Sequence, residues 1–191
     1  MSEKESIRSS LLQRRSVEPW HSIQEKSNHI KQHLFNLEAY EKAQTVFYYV
    51  SYDHEVITHE MIKESLSTTK TILVPITHKY THSITPSQLH SWEELIPQAY
   101  GILVPEREQS LPVTLIDVII IPGVGFDRIG NRIGHGKGYY DLLLTKARHA
   151  LFIGLAFEFQ IIDYIPTEDH DMPMDLIITE KHIIRCSNRK H

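Results

Sequence analysis

Arg132, His135 and Lys137 stand inside a run of closely spaced glycines, a combination that suits the binding of phosphate. Six of the eight glycines fall between Gly123 and Gly138, where the backbone must bend sharply or come close to another group. The apolar run Val118–Ile121 leads in and reads as a buried strand. Tyr139–Arg148 leads out and reads as a helix, with Asp141 in its first turn and Lys146 and Arg148 in its last, as the helix dipole favours. Strand, glycine loop and helix together offer free backbone N–H groups and a positive helix end to an anion. Two common phosphate-loop patterns do not fit. G-x-x-x-x-G-K-[ST] would need glycine at Asn131 and Ser or Thr at Gly138. The dinucleotide pattern G-x-G-x-x-G is broken because Gly134, Gly136 and Gly138 run as G-x-G-x-G. On pattern alone, a tight structural turn with solvated basic residues is the alternative.

The segments around this loop alternate between helix and strand. Glu3–Arg15 reads as a first helix with Ile7, Leu11 and Leu12 as its apolar stripe. Lys4 and Arg8 share one of its faces, where an anion would relieve their repulsion, although composition alone favours a solvated basic face. Ser22-Ile23-Gln24-Glu25 fits a capping box, predicting a second helix from Ile23 to about Leu37. Thr45–Tyr52 is rich in β-branched and aromatic residues and reads as a central strand. A helix over about Thr58–Leu66 and a strand over Thr71–Ile76 follow, suggesting a parallel pair with a right-handed crossover. His78–Tyr100 reads as an irregular lid or surface excursion, and Gly101–Pro105 as a short strand. Ala150–Ala156 and Leu176–Thr179 read as further strands, the last extended by His182–Arg185, with a short helix or turn over Phe157–Tyr164. The expected fold is a single-domain three-layer α/β/α unit of the Rossmann-like kind, with a mostly parallel sheet. One domain spans 1–191, with N-terminal helices in 1–40 packing on an α/β core in 45–186. Ligands in such sheets sit beyond the carboxyl ends of the strands, which places Tyr52 and the Asp53-His54-Glu55 turn at the functional edge.

Composition narrows the function. At 191 residues, 41% hydrophobic and with a net charge of −4, the chain fits an ordinary globular protein rather than a nucleic-acid or membrane-surface binder. A single cysteine, Cys186, excludes an internal disulfide and points to a reducing, cytoplasmic setting. No signal-peptide core opens the chain, and no stretch approaches the ~20 apolar residues of a membrane helix. A monomer is expected. Of the thirteen histidines, His29/His33 and His78/His82 have a metal-like spacing without further ligands, and read as ordinary surface residues. Glu168–Asp175 packs four carboxylates into eight residues. Acidic loops are usually solvated. A hard cation such as Mg²⁺, however, takes one or two carboxylates together with phosphate oxygens, and Asp141 ends the glycine loop.

Pro122–Asp141, PGVGFDRIGNRIGHGKGYYD, resembles the signature of the 5-formyltetrahydrofolate cyclo-ligase family, also called methenyltetrahydrofolate synthetases, and looser similarity runs from Lys4 to about Glu180. The resemblance implies an ATP- and Mg²⁺-dependent cyclisation of 5-formyltetrahydrofolate to 5,10-methenyltetrahydrofolate. It implies ATP contacts at Lys4, Arg8, Arg132, Ile133, Gly134, His135, Gly136, Lys137, Gly138, Tyr139 and Tyr140. Lys137 and Arg132 would act on the transferring phosphoryl, and Asp141 and Asp171 would hold the metal. Substrate contacts would come from Tyr52, from the position of Ile57, and from His135 to Tyr139 of the loop. Many members carry an acid where Ile57 stands, and Glu55 and Glu60 are the nearby carboxylates that could take its place. Val104-Pro105 likewise replaces a common Glu-Pro. A ligase acting on another formylated or amide substrate, or a non-catalytic nucleotide or folate binder, are the alternatives.

Overall fold

The computed structural model describes residues 2–98 and 101–187. The first helix, α1, spans Glu3–Ser16 and is opened by a capping box between Ser2 and Glu5. Helices α2 (Trp20–Phe35) and α3 (Glu38–Lys42) precede strand β1 (Thr45–Phe47). Helix α4 (His59–Leu66) leads to β2 (Thr71–His78) and β3 (Ser83–Leu89). A small hairpin, β4 (Leu95–Pro97) and β5 (Leu103–Pro105), comes next. Then β6 (Val118–Pro122) runs into β7 (Gly125–Asp127) and β8 (Arg132–Ile133), followed by α5 (Tyr139–Lys146). The chain closes with β9 (Leu151–Leu155), β10 (Ile161–Ile162), β11 (Leu176–Ile178) and β12 (Ile183–Arg185).

Seven strands form the main sheet in the order β12-β11-β9-β6-β1-β2-β3. The five inner strands pair in parallel and the two edge strands antiparallel. Inner strands are apolar on both faces, as parallel sheets require. Val46, Val118, Ile120, Ile153 and Ile178 face a core shared with Ile23, Ile30 and Leu34 of α2 and Met61 and Ile62 of α4. Phe47, Ile119, Ile121, Phe152 and Ile177 face Leu143 and Leu144 of α5. The result is the expected three-layer α/β arrangement. A second small sheet, β10-β7-β8, is roofed by α1 through Leu11, Val124, Ile133 and Ile165.

Several local expectations give way to tertiary context. Helix α2 begins at Trp20 after Pro19, not at Ile23, because Ser22 Oγ donates to Glu18 Oε1 (2.6 Å) instead of capping a helix. The stretch read as an irregular lid contains β3, paired residue by residue with β2, with Pro75 opposite Pro86. An edge strand tolerates that proline. Ala99 and Tyr100, at the end of that stretch, lie outside the described residues. Strand β1 is shorter than Thr45–Tyr52. Tyr48 N–H still donates to Leu73 O (2.8 Å), and beyond it the chain leaves the ladder. Helix α3 is five residues long and has no side-chain cap. Its C-terminal carbonyls are held by a distant side chain, Lys70, whose Nζ donates to Tyr40, Glu41 and Ala43 O.

Strand order reverses between β1 and β6. From β1 the chain builds outward through β2 and β3, and later strands from β6 onward add on β1's other side. Parallel sheets leave a crevice beyond the carboxyl ends of the strands at such a switch point. The segments that emerge there are 48–58 after β1 and 123–138 after β6.

Candidate functional site

After β6 the chain turns at Gly123, which a side chain could not replace, because a Cβ there would lie 2.4 Å from the Phe126 ring. The turn between β7 and β8 is organised by Asp127, fully buried. Its Oδ1 accepts from Ile129 and Asn131 N–H, and its Oδ2 from Asn131 Nδ2. This rigid hairpin delivers Arg132 to the base of the loop. Arg132 Nη2 donates to Asp141 Oδ1 (2.8 Å), and its guanidinium lies 5.8 Å over the Tyr140 ring. Its Nε is enclosed and makes no hydrogen bond. Between Arg132 and Asp141 the loop passes through Gly136 and Gly138 at φ +85° and +68°, a region other residues adopt at a cost. Gly138 is the N-cap of α5, and no side chain caps that helix, so its first-turn N–H groups keep their hydrogen-bonding capacity. His135, Gly136, Lys137 and Gly138 are exposed, and Tyr139 rests 5.6 Å from the His82 ring.

Helix α1 closes over this loop. Arg8 Nε donates to Gly134 O (2.8 Å), and Lys4 Nζ donates to Asp171 Oδ2 (2.6 Å). The two cations singled out by their spacing therefore both reach the site. Burial works against ionisation of Asp171, but Lys4 and the Glu168 N–H (2.9 Å) outweigh it and hold the carboxyl below its usual range. Both candidate metal carboxylates thus carry a cationic partner. Among the described residues no group of three or more His, Cys, Asp or Glu side chains could hold a metal by itself. The spaced histidines do other work: His33 Nδ1 meets Thr179 O (2.9 Å) and His78 Nε2 meets Thr85 Oγ1 (2.8 Å).

The second wall is the turn after β1. Ser51 and Thr58 tie its two ends together: Thr58 N–H donates to Ser51 Oγ (3.0 Å), Ser51 N–H to Thr58 Oγ1 (3.0 Å), and Thr58 Oγ1 to Tyr49 O (2.7 Å). Tyr49 Oη adds a bond to Val56 O (2.8 Å). Inside this closed turn Glu55 is 5% exposed, accepts from Tyr52 N–H (3.3 Å), and lies 3.7 Å from His135 Nε2 of the glycine loop. The Tyr52 ring is 6.3 Å from that of His135. Of the two acids named as stand-ins, Glu55 faces the loop, whereas Glu60 pairs with Lys63 (2.8 Å) on α4. Ile57 packs against the core, and its N–H donates to Ser27 Oγ (3.0 Å). Tyr140 is pushed far above the ordinary tyrosine range, first by burial and then by Glu55, with Arg132 opposing. The Ser51–Thr58 tie was invisible to sequence reasoning, since a seven-residue separation has no local signature.

Comparison with known proteins identifies the family. The sequence model of the 5-formyltetrahydrofolate cyclo-ligase family matches residues 1–180. The Haemophilus influenzae 5-formyltetrahydrofolate cyclo-ligase is 30% identical over 155 residues, covering 78% of this chain and 83% of that protein. The Mus musculus enzyme of the same name is 33% identical over 153 residues, covering 74% of this chain and 75% of its own. In structure, the Aquifex aeolicus 5,10-methenyltetrahydrofolate synthetase superposes with a TM-score of 0.87 at 29% identity, covering 100% of this chain and 96% of that one. No helix among the described residues is long and apolar enough to cross a membrane. By its match to the family model over residues 1–180 and by these relatives, the chain belongs to the 5-formyltetrahydrofolate cyclo-ligase family, a family of ligases.

Proposed function

We propose that this protein cyclises 5-formyltetrahydrofolate to 5,10-methenyltetrahydrofolate with ATP, releasing ADP and phosphate. One observation carries the reading: His135, a residue of the anion-binding loop, lies 3.7 Å from Glu55 in the turn after β1. A triphosphate held by the loop and a ring held by the turn would therefore share one wall. The formyl group of the substrate is an amide, and its oxygen is a poor leaving group. Transfer of the γ-phosphoryl from ATP to that oxygen breaks the bond to ADP. The neighbouring anilino nitrogen then attacks the formyl carbon, the ring closes, and phosphate departs with the former formyl oxygen. Such chemistry needs positioning and charge neutralisation rather than a protein nucleophile.

The chain supplies both. Lys4, Arg8, Arg132 and Lys137 are the cations for the phosphates, and the uncapped N–H groups at the start of α5 add donors. Lys137, exposed and without an ion pair among the described residues, is assigned to the transferring phosphoryl. Asp141 and Asp171 fit a hard cation, since each is a carboxylate whose present partner, Arg132 or Lys4, could pass to a phosphate oxygen. Mg²⁺ held there would neutralise charge on the triphosphate. Tyr52 and Glu55 would face the ring, the first by stacking and the second by accepting from ring N–H groups. The test is absorbance detection of the methenyl product from 5-formyltetrahydrofolate, with and without ATP and Mg²⁺. Product formed only when both are present is expected, and no product under any condition overturns the assignment.

A further inference from the structure

One face of α1 carries Lys4, Arg8, Leu11 and Arg15, spaced four, three and four residues apart and hence aligned in a single stripe. Three of them have partners already described: Lys4 meets Asp171, Arg8 meets Gly134 O, and Leu11 packs with Val124 and Ile133. Arg15 is different. It is 3% exposed, yet among the described residues its guanidinium makes no hydrogen bond or ion pair. A buried cation without a partner is costly, and native structures seldom keep one without a use. Arg132 Nε is the one fully enclosed side-chain nitrogen or oxygen without a hydrogen bond among the described residues. The Arg15 nitrogens, which also lack one, must therefore hold part of the small accessible surface that residue retains. Five residues on, the Trp20 ring lies 6.3 Å from that of His54, so this end of α1 stands beside the turn after β1. At the Tyr49 and Tyr52 hydroxyls, burial pushes the pKa up and Glu55 adds to it, while the Arg15 charge opposes both.

Arg15 stands seven residues beyond Arg8, about 10 Å along the helix, so it lies past the phosphate contacts of α1. We propose that Arg15 is a specificity residue for the folate ring, its guanidinium donating to the ring carbonyl oxygen while Glu55 accepts from the ring's N–H groups. This rests on the folate reading given above. The planar fork of arginine suits an acceptor edge held in one orientation, and the near-complete burial suits the ring rather than the flexible, hydrated glutamate tail.

The test compares two ligands on three proteins. Wild type, Arg15→Met and Arg15→Lys are titrated with 5-formyltetrahydrofolate, with its analogue bearing an amino group in place of the ring carbonyl oxygen, and separately with Mg·ATP. Wild type should prefer the carbonyl ligand by about ten- to a hundredfold. Arg15→Met should bind that ligand more weakly by a similar factor and lose the preference, with its Mg·ATP affinity unchanged. Arg15→Lys, which keeps the charge but not the fork, should fall between. Equal affinity of wild type for the two ligands overturns the proposal even if Arg15→Met does not fold. Loss of Mg·ATP binding in either folded variant overturns it by moving Arg15 to the nucleotide. Wild type that binds Mg·ATP but neither folate overturns the folate reading itself, and this assignment with it.

Discussion

The two walls of the site are built by opposite means. The glycine loop after β6 and the segments around it are held by charged groups: Arg132 to Asp141, Arg8 to Gly134 O, and Lys4 of α1 to Asp171 before β11. Each of these contacts joins groups that an incoming Mg·ATP would also want. The turn after β1 is held by neutral, reciprocal hydrogen bonds among Ser51, Thr58, Tyr49 and Val56, none of which a ligand would take over. Charge pairs across a partly solvated site can change partners at modest net cost, because what one ion loses another supplies. Buried neutral bonds cannot, because breaking one leaves an unsatisfied group. The contrast points to a phosphate wall that rearranges around its ligand and a ring wall that is ready beforehand.

The largest effect should come from the loop wall. If Lys137 stands against the charge that grows during phosphoryl transfer, as proposed, Lys137→Ala removes a group of a kind that contributes about 10²–10³ in rate. Steady-state kinetics should show turnover falling by that factor with a smaller change in the ATP constant. A raised ATP constant at unchanged turnover would instead make Lys137 a uniform binder.

The rigid wall should answer in stability. Thr58→Val keeps the shape but deletes the hydroxyl that donates to Tyr49 O and accepts from Ser51 N–H, both buried. A loss of about 1–3 kcal/mol is expected, read as a drop of several degrees in Tm for a chain of this size. Substrate affinity should weaken as Glu55 loses its frame, while Mg·ATP affinity holds. A fall in both affinities would mean that the two walls are mechanically one.

How much of this was legible beforehand follows the same division. The glycine loop announced itself, because its needs are local: positive φ at Gly136 and Gly138, and cations within a few residues. Lys4 and Arg8 were visible as a pair, but only the packing of α1 over the loop shows what they meet. The inner strands could be read from continuous apolar runs. Strand β3 could not, since SITPSQL carries two Ser, a Thr and a Pro and gains its ladder only from β2 alongside. Helix α3 depends on Lys70, about thirty residues away. Glu55 could be named among nearby acids, but choosing it over Glu60 required knowing that the turn folds inward while α4 presents Glu60 to solvent. What sequence hides here is what distant segments supply.

Asp141→Asn sharpens the partner-exchange idea. On the proposed reading the change removes a metal carboxylate but also frees Arg132 for phosphate, so the two effects oppose. A loss of only about tenfold in Mg·ATP affinity is expected, near the lower end of what the loss of a supporting group at a metal site produces. Calorimetric titration without the metal gives the sharper reading: ATP alone should bind the variant at least as well as wild type, because Arg132 is released. Weaker metal-free binding would show that Asp141 orients Arg132 rather than restraining it.

The smallest effect should be the acid dependence of the Lys4–Asp171 pair. The Asp171 carboxyl is held below its usual range in the folded protein, so its contribution to stability is fully present above the unfolded value, near pH 3.9. It is lost as the pH falls from there through the depressed folded value. The pair is partly screened by solvent, so the contribution should be about 1 kcal/mol or less. Urea unfolding of wild type and Asp171→Asn between pH 3 and 6 should show curves that separate above about pH 4 and converge below it. Saturating Mg·ATP should then change the comparison. If Lys4 passes to a phosphate and Asp171 to the metal, the bound protein gains more stability from Asp171 than the free protein does, and the gap between the curves widens. A gap unchanged by Mg·ATP would mean that the Lys4–Asp171 pair stays intact in the complex, and that the loop wall is as fixed at this point as the turn it faces.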